Sequence, residues 1–226
     1  MSGKSSVINM LAGSSVADVS DSAMGSTSSN RPYDIPPGDD NAYTFWDTAG
    51  LNEAVNGTVS SRAAVQNLLD LVEDRGVNLL VYCIRPRLVD IIRVNHDLFW
   101  KIICMEKVPI VFVVTGLEGT EDMDKWWRDN EQTIRKMKMV FDGHACITSI
   151  KGRGGIYEEA YKESAKKVWK LVREHSRPQP WYMTPGWSTQ AEQKLVEYEK
   201  NYKARSENGM RKFLRELRNL FSLTRT

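Results

Sequence analysis

No apolar run in this 226-residue chain approaches the roughly 18 residues that a membrane-spanning helix needs. The start shows no secretory pattern either, because Lys4 is followed by only a short apolar run. Cysteine is scarce. Cys83, Cys104 and Cys146 lie in apolar surroundings and, being three, cannot all pair. They read as buried free thiols in a reducing compartment, which predicts a cytoplasmic protein. An excess of one charge is also missing, and a formal net charge of +2 gives no reason to expect a nucleic-acid partner. His96, His144 and His175 share no spacing that would build a metal site or a catalytic dyad. There is no internal repeat. With 41% hydrophobic residues at this length, one substantial packed core is expected.

What is present centres on Tyr43-Thr44-Phe45-Trp46-Asp47-Thr48-Ala49-Gly50. The aromatic and β-branched run reads as a buried strand. Its carboxyl end would point Asp47 into the crevice where open α/β sheets bind ligands. Gly50 has no Cβ, so backbone there can pass close to a ligand. D-x-x-G alone is a weak signal. It gains weight from Gly3-Lys4-Ser5-Ser6 upstream, followed by Val7, Ile8, Met10 and Leu11, which suit a helix packed on a sheet and ended by Gly13. A phosphate would sit on that helix's N-terminus, where free N–H groups and the dipole favour anions. Lys4 would reach the β- and γ-phosphates, the Ser5 hydroxyl would ligate Mg²⁺ together with Asp47, and the Ser6 N–H would face the α-phosphate.

The full motif, G-x-x-x-x-G-K-[ST], follows a strand. Here only Met1 and Ser2 precede Gly3, so the first glycine and that strand are missing from the sequence as written. The strand would lie in the middle of the sheet. We therefore expect a truncated gene model or a wrongly chosen start codon; if the chain is as written, it lacks several N–H donors of the phosphate cradle and has a gap between strands.

Ser14 to Asp40 reads as a long loop. Within it Thr27 either closes over Mg²⁺ and the γ-phosphate or belongs to an ordinary surface loop. Arg31 to Ile35 suits a short edge strand, to which Pro32 confines it. Leu51 follows Gly50 where many GTP-hydrolysing proteins carry a water-orienting glutamine, so hydrolysis is expected to be slow, supplied by other means, or absent; Arg62 either acts in place of a finger or, as the simpler reading, is a solvated arginine at a helix start. A helix is expected over 60–73. Val77 to Ile84 is a continuous apolar run, as in a strand buried on both faces. An apolar helix through Ile91 and Ile103, a second buried strand at Ile110 to Val114, a helix over 124–141, a strand from Ala145 and a helix over 156–175 follow. Such alternation implies parallel order.

Thr115-Gly116-Leu117-Glu118 lies where a guanine-reading [NT]-K-x-D would fall. The Glu118 carboxylate can accept from guanine N1–H and the 2-amino group together. Gly116 stands where a lysine stem would cover the base. Ser149 and Ile150 would offer backbone N–H groups to guanine O6, with Lys151 over the base. The plain alternative is a strand-to-helix turn.

In this order the five segments resemble the boxes of a G domain. The chain is similar to the fungal G-domain proteins related to the septin and immunity-associated GTPases, over about residues 2 to 175. That resemblance implies an α/β fold: a three-layer, doubly wound, mostly parallel sheet of the P-loop GTPase type, with its first, central strand missing and a C-terminal helical tail. It implies GTP or GDP with Mg²⁺ as ligand and nucleotide-controlled self-association into homo-oligomers. Gly3, Lys4, Ser5, Ser6 and Gly50 would serve phosphate; Ser5, Thr27 and Asp47 Mg²⁺; Thr115, Glu118, Ser149, Ile150 and Lys151 the base. The alternative is a nucleotide-free scaffold acting through its tail.

Three regions are expected: a G-domain-like body over 1–176, a Pro- and Trp-containing linker over 177–188, and a helical tail over 189–226. In the tail, Met210, Phe213, Leu214, Leu217, Leu220 and Phe221 share one helical face beside Arg211, Lys212, Arg215 and Arg218. This basic amphipathic stretch, 210–221, suits an anionic membrane surface or a protein partner, or else it folds back on the body.

Overall fold

The computed structural model describes residues 2–17, 30–36, 42–48, 61–201, 214–215 and 217–221, with side chains omitted over 61–64. Helix α1 spans Lys4–Ala12 and ends at Gly13 in the left-handed conformation, as the apolar spacing and the glycine predict. Strands β1 (Arg31–Ile35) and β2 (Tyr43–Asp47) pair antiparallel. Helix α2 covers Ser61–Asp74. Strands β3 (Leu80–Ile84), β4 (Ile110–Val114) and β5 (Gly143–Cys146) form a parallel sheet in that order. Between them run α3 (Asp90–His96), which continues as a π-helix over Asp97–Ile103, and α4 (Lys125–Lys136). Helices α5 (Glu158–His175) and α6 (Trp187–Asn201) follow.

Strand alternation divides β4 between two cores. Val111 and Val113 face α1 and α5, through Val7, Ile8, Val168 and Val172. Phe112 and Val114 face Ile92, Ile134 and the half-buried Trp126 and Trp127. Helices therefore cover both faces of the parallel sheet, giving three layers.

Two expectations about burial fail for one reason. The run through β3 was expected to be buried on both faces, yet Leu80, Val81 and Tyr82 are only half-buried, whereas all five residues of β4 are buried. Tyr43, Phe45 and Trp46 of β2 are half-buried as well. A cavity of about 900 Å³ separates β2 from β3 and exposes the facing edge of each. This is the expected gap. Element ends also differ from the sequence reading. The fourth helix stops at Lys136 because Lys138 turns to positive φ, and β5 begins two residues earlier than Ala145.

Of the alternatives for the tail, the described residues support folding back on the body: Leu214, Leu217, Leu220 and Phe221 are buried among Val65, Leu69, Leu98 and Leu195, so these four side chains are not open to a membrane or a partner. Each such side chain contributes about 1.5–3 kcal/mol by leaving water. The segment before α6 is docked too. Val77 and Trp181 exchange backbone hydrogen bonds at 2.9 Å, and Trp187 Nε1 donates to the Ile103 carbonyl at 2.7 Å. That bond satisfies a carbonyl in the last turn of the π-helix. Met210, Phe213, Arg211 and Lys212 lie outside the described residues.

Candidate functional site

Gly3 precedes α1 at φ +79°, and a Cβ there would stand 2.8 Å from Thr115 Oγ1. Only glycine allows this turn and this approach. The approach is held from the other side. Thr115, just past β4, donates from Oγ1 to the Ser2 carbonyl at 3.0 Å and to the Ile84 carbonyl at 3.2 Å. The start of α1 is thus pinned over the carboxyl ends of β3 and β4. The helix has no acidic residue in its first turn and no side-chain cap among the described residues, so its first N–H groups suit an anion.

Asp47 ends β2 and is buried. Ser5, 42 residues away in sequence, donates from Oγ to Asp47 Oδ2 at 2.5 Å. The second oxygen, Oδ1, is buried with no hydrogen-bond partner among the described residues. A buried carboxylate oxygen without a partner is costly, and its position beside a hydroxyl suits a small hard cation. Mg²⁺ takes oxygen ligands and is commonly held by one or two protein groups with phosphate and water completing the shell. Ser5 and Asp47 therefore fit Mg²⁺. Lys4 Nζ lies 3.3 Å from Ser2 Oγ at the same helix start. Behind them, burial pushes the Cys83 thiol up to about 12; Lys4 pulls it down and Asp47 pushes it up more weakly. That thiol is neutral and is no nucleophile.

The other half of the site lies beyond β4 and β5. Glu118 Oε2 accepts from Thr148 Oγ1 at 3.4 Å, and the Ile150 N–H donates to Thr148 Oγ1 at 3.3 Å. Buried Thr148 thereby joins the two loops. Leu117 N–H reaches the Ile147 carbonyl at 3.4 Å. Thr115 is adjacent, but its hydroxyl ties the helix start to the sheet. Ser149 is half-buried and Ile150 exposed. Lys151 Nζ lies 3.3 Å from Glu158 and 5.3 Å above the Tyr161 ring. This pair is exposed and so only weakly held.

Ser5 and Asp47 are thus brought together with Gly3, Lys4 and Ser6, and Glu118 with the loop of Ser149, Ile150 and Lys151. Thr27, Gly50 and Leu51 lie outside the described residues, as does the Arg62 side chain. Sequence reasoning gave no role to Thr148, which opens the fifth segment just before Ser149, or to Arg85. The Arg85 side chain crosses Gly116, where φ is +81° and an added Cβ would collide with its guanidinium. The glycine read as a lost lysine is covered by an arginine from the end of β3. A glycine in the fourth box beside an Arg-Pro after the preceding strand was the available signal.

The model of the GTPase family described as 50S ribosome-binding GTPase matches residues 2–138. No protein with a curated description matches the chain. Among solved structures, the chain is similar to Era in complex with MgGDPNP and nucleotides 1506–1542 of 16S ribosomal RNA. The two share 16% identity at a TM-score of 0.55, over 92% of this chain and 66% of that one. It is also similar to Aquifex aeolicus Era Y63A bound to GDP.AlF4-, at 15% identity and a TM-score of 0.54, over 92% of this chain and 65% of that one. The chain thus spans just under two thirds of these relatives' length, and at such identity they show a shared fold. Gly-Lys-Ser at a helix start, held against an aspartate at a strand's end on an α/β sheet, falls within the matched span, and by that match the chain belongs to the family of P-loop GTPases described as 50S ribosome-binding.

Proposed function

We propose that this protein binds GTP and GDP with Mg²⁺ and works as a nucleotide-dependent switch or in nucleotide-controlled assembly. The observation that carries the reading is the Ser5–Asp47 contact at 2.5 Å, with a partnerless buried oxygen beside it. The α1 N-terminus and Lys4 take the phosphates. Ser5 Oγ and Asp47 hold Mg²⁺, which neutralises charge on the β- and γ-phosphate oxygens when bound. Thr27 and Gly50 are assigned, from their sequence positions, to the metal and the γ-phosphate. Glu118 reads the guanine N1–H and 2-amino group, backed by Thr148. Ser149 and Ile150 address O6, and Lys151 swings from Glu158 to the base edge. Arg85 lies across Gly116 and covers the base in place of the absent lysine.

Hydrolysis is slow, because Leu51 offers no hydrogen bond to an attacking water. The order of the boxes supports placing the chain beside the septin and immunity-associated GTPases, with self-association as the output. The buried thiols suit a cytoplasmic location. RNA is not carried over from the Era complex: a near-neutral net charge gives no electrostatic footprint for it.

The test is thermal protection. GTP or GDP with Mg²⁺ raises Tm, ADP with Mg²⁺ does not, and EDTA removes most of the effect. Equal protection by ADP ends the guanine assignment. Protection by no nucleotide ends the nucleotide reading.

A further inference from the structure

Helix α5 buries a stripe of Ser164, Val168, Leu171 and Val172. The last three are apolar and pack on the sheet, as a helix face turned to a core requires. Ser164 is the exception, and none of it is exposed. A hydroxyl buried in such a stripe is costly unless it is bonded. Ser164 Oγ is bonded twice. It donates to the Ala160 carbonyl at 2.7 Å, one turn back, and accepts from the Thr148 N–H at 3.2 Å. A serine hydroxyl carries one proton and free lone pairs, so both bonds stand together.

The second bond falls where the sheet gives out. The Ile147 N–H still donates to the Val114 carbonyl at 2.9 Å, and the Ile147 carbonyl accepts from Leu117 at 3.4 Å. The next N–H, at Thr148, goes to Ser164 instead. This fixes the point at which the chain leaves the sheet for the loop of Ser149, Ile150 and Lys151. It fixes the buried Thr148 side chain as well. Thr148 Oγ1 accepts from the Ile150 N–H at 3.3 Å, and it stands 3.1 Å from the Ile150 carbonyl and 3.4 Å from Glu118 Oε2. Two acceptors lie within reach of its one proton, and the carboxylate, being charged, is the stronger.

Glu118 needs such a hold. It has one more rotatable bond than an aspartate, so its carboxylate has more orientations to lose. Guanine presents N1–H and the 2-amino group side by side, and both are met only when the two carboxylate oxygens lie in the plane of the base. A hydroxyl on Oε2 leaves Oε1 and a second lone pair of Oε2 for the base. We propose that Ser164 and Thr148 are positioning residues for base selection: Ser164 sets Thr148, and Thr148 holds Glu118 in the orientation that accepts from N1–H and the 2-amino group together. The proposal rests on the guanine reading of the site. Both side chains are fully buried and act only through Glu118.

The readout is the ratio of affinities for GDP and inosine diphosphate, which lacks the 2-amino group, by titration calorimetry on the full chain with Mg²⁺. Each ratio is internal to one protein, so a partly unfolded preparation does not shift it. The parent prefers GDP by about 10- to 100-fold, the worth of one hydrogen bond to a charged group. Thr148→Val keeps the shape and loses the hydroxyl, and the ratio falls by about three- to tenfold. Ser164→Ala lowers it by about two- to threefold. Thr148→Ser keeps the hydroxyl and restores most of the preference. A parent-like ratio in both Thr148→Val and Ser164→Ala, with the two diphosphates weakened alike or not at all, overturns the proposal and leaves both residues as packing. A fall in Thr148→Val alone overturns the part given to Ser164, and an equal fall in Thr148→Ser overturns the part given to the hydroxyl. A parent that binds the two diphosphates equally ends the guanine reading itself, and the proposal with it.

Discussion

The two ends of the site are built differently. At the phosphate end, residues 42 positions apart meet through one short bond between a hydroxyl and a buried carboxylate, under a helix start that glycine alone permits. At the base end, the contacts are longer and the groups more exposed: Glu118 meets Thr148 at 3.4 Å, and Lys151 is held by an open ion pair. A charge-assisted contact out of water is worth several times an exposed one. Affinity should therefore reside at the phosphate end, while the base end supplies discrimination at a modest cost.

The sharpest way to break that comparison is Lys4→Ala. The side chain stands at the helix start and has no acidic partner among the described residues, so little in the described fold depends on it. Losing one charged phosphate contact weakens GDP and GTP by about 10- to 100-fold, measured by titration calorimetry. Asp47→Asn, read beside it, abolishes the difference between Mg²⁺ and EDTA. A Lys4→Ala protein that binds as tightly as the parent removes the phosphate end from its leading place.

A smaller effect is expected at Arg85. Its guanidinium lies over Gly116, on the loop that carries Glu118. An exposed cation over an aromatic face contributes about 0.5–1 kcal/mol, so Arg85→Ala weakens GDP by about two- to fivefold. Arg85→Lys restores part of the loss. Every base has a π-face, so an inosine nucleotide weakens by the same factor and the guanine preference stays with Glu118. A change in preference instead of affinity would place Arg85 at the base edge and Glu118 out of contact.

The same contrast explains what was legible in the sequence. Gly3-Lys4-Ser5 and Asp47 carry their chemistry in their residue types, and a helix start and a strand end leave few ways to combine them. Arg85 looked like an ordinary strand stop, because its approach to Gly116 depends on how β3 and β4 align. The apolar stripe of Leu214, Leu217, Leu220 and Phe221 was visible, but periodicity says which face is apolar and not what covers it. The cover is the core around Leu98 and Leu195. The run through β3 promised burial on both faces, and the cavity beside it accounts for the shortfall.

The smallest effect separates stability from binding. His144 stacks on Trp127 with ring centroids 3.8 Å apart and planes 8° from parallel. Partial desolvation holds the imidazole below its ordinary value although the residue is still exposed; Asp124 and Glu131 pull it upward more weakly, and Lys167 adds slightly to the lowering. The sign follows from linkage. Above the ordinary histidine value both folded and unfolded chains are neutral at this position, and its contribution is complete. As pH falls through about 6.5, the unfolded chain takes up the proton first, so stability drops until the folded group titrates. The buried carboxylate at Asp97 has the same sign but another window. Burial opposes its ionisation, yet bonds from His96 and Lys101 outweigh this and keep it below the ordinary carboxylate range, so its loss comes only in more acid solution. Between about pH 7 and 5, the Tm of the parent falls more than that of His144→Phe, which keeps the stack and cannot titrate. GDP affinity at neutral pH is the same in both, since neither end of the site touches this ring. Parallel Tm curves would mean that the stacked imidazole titrates as it does in the unfolded chain.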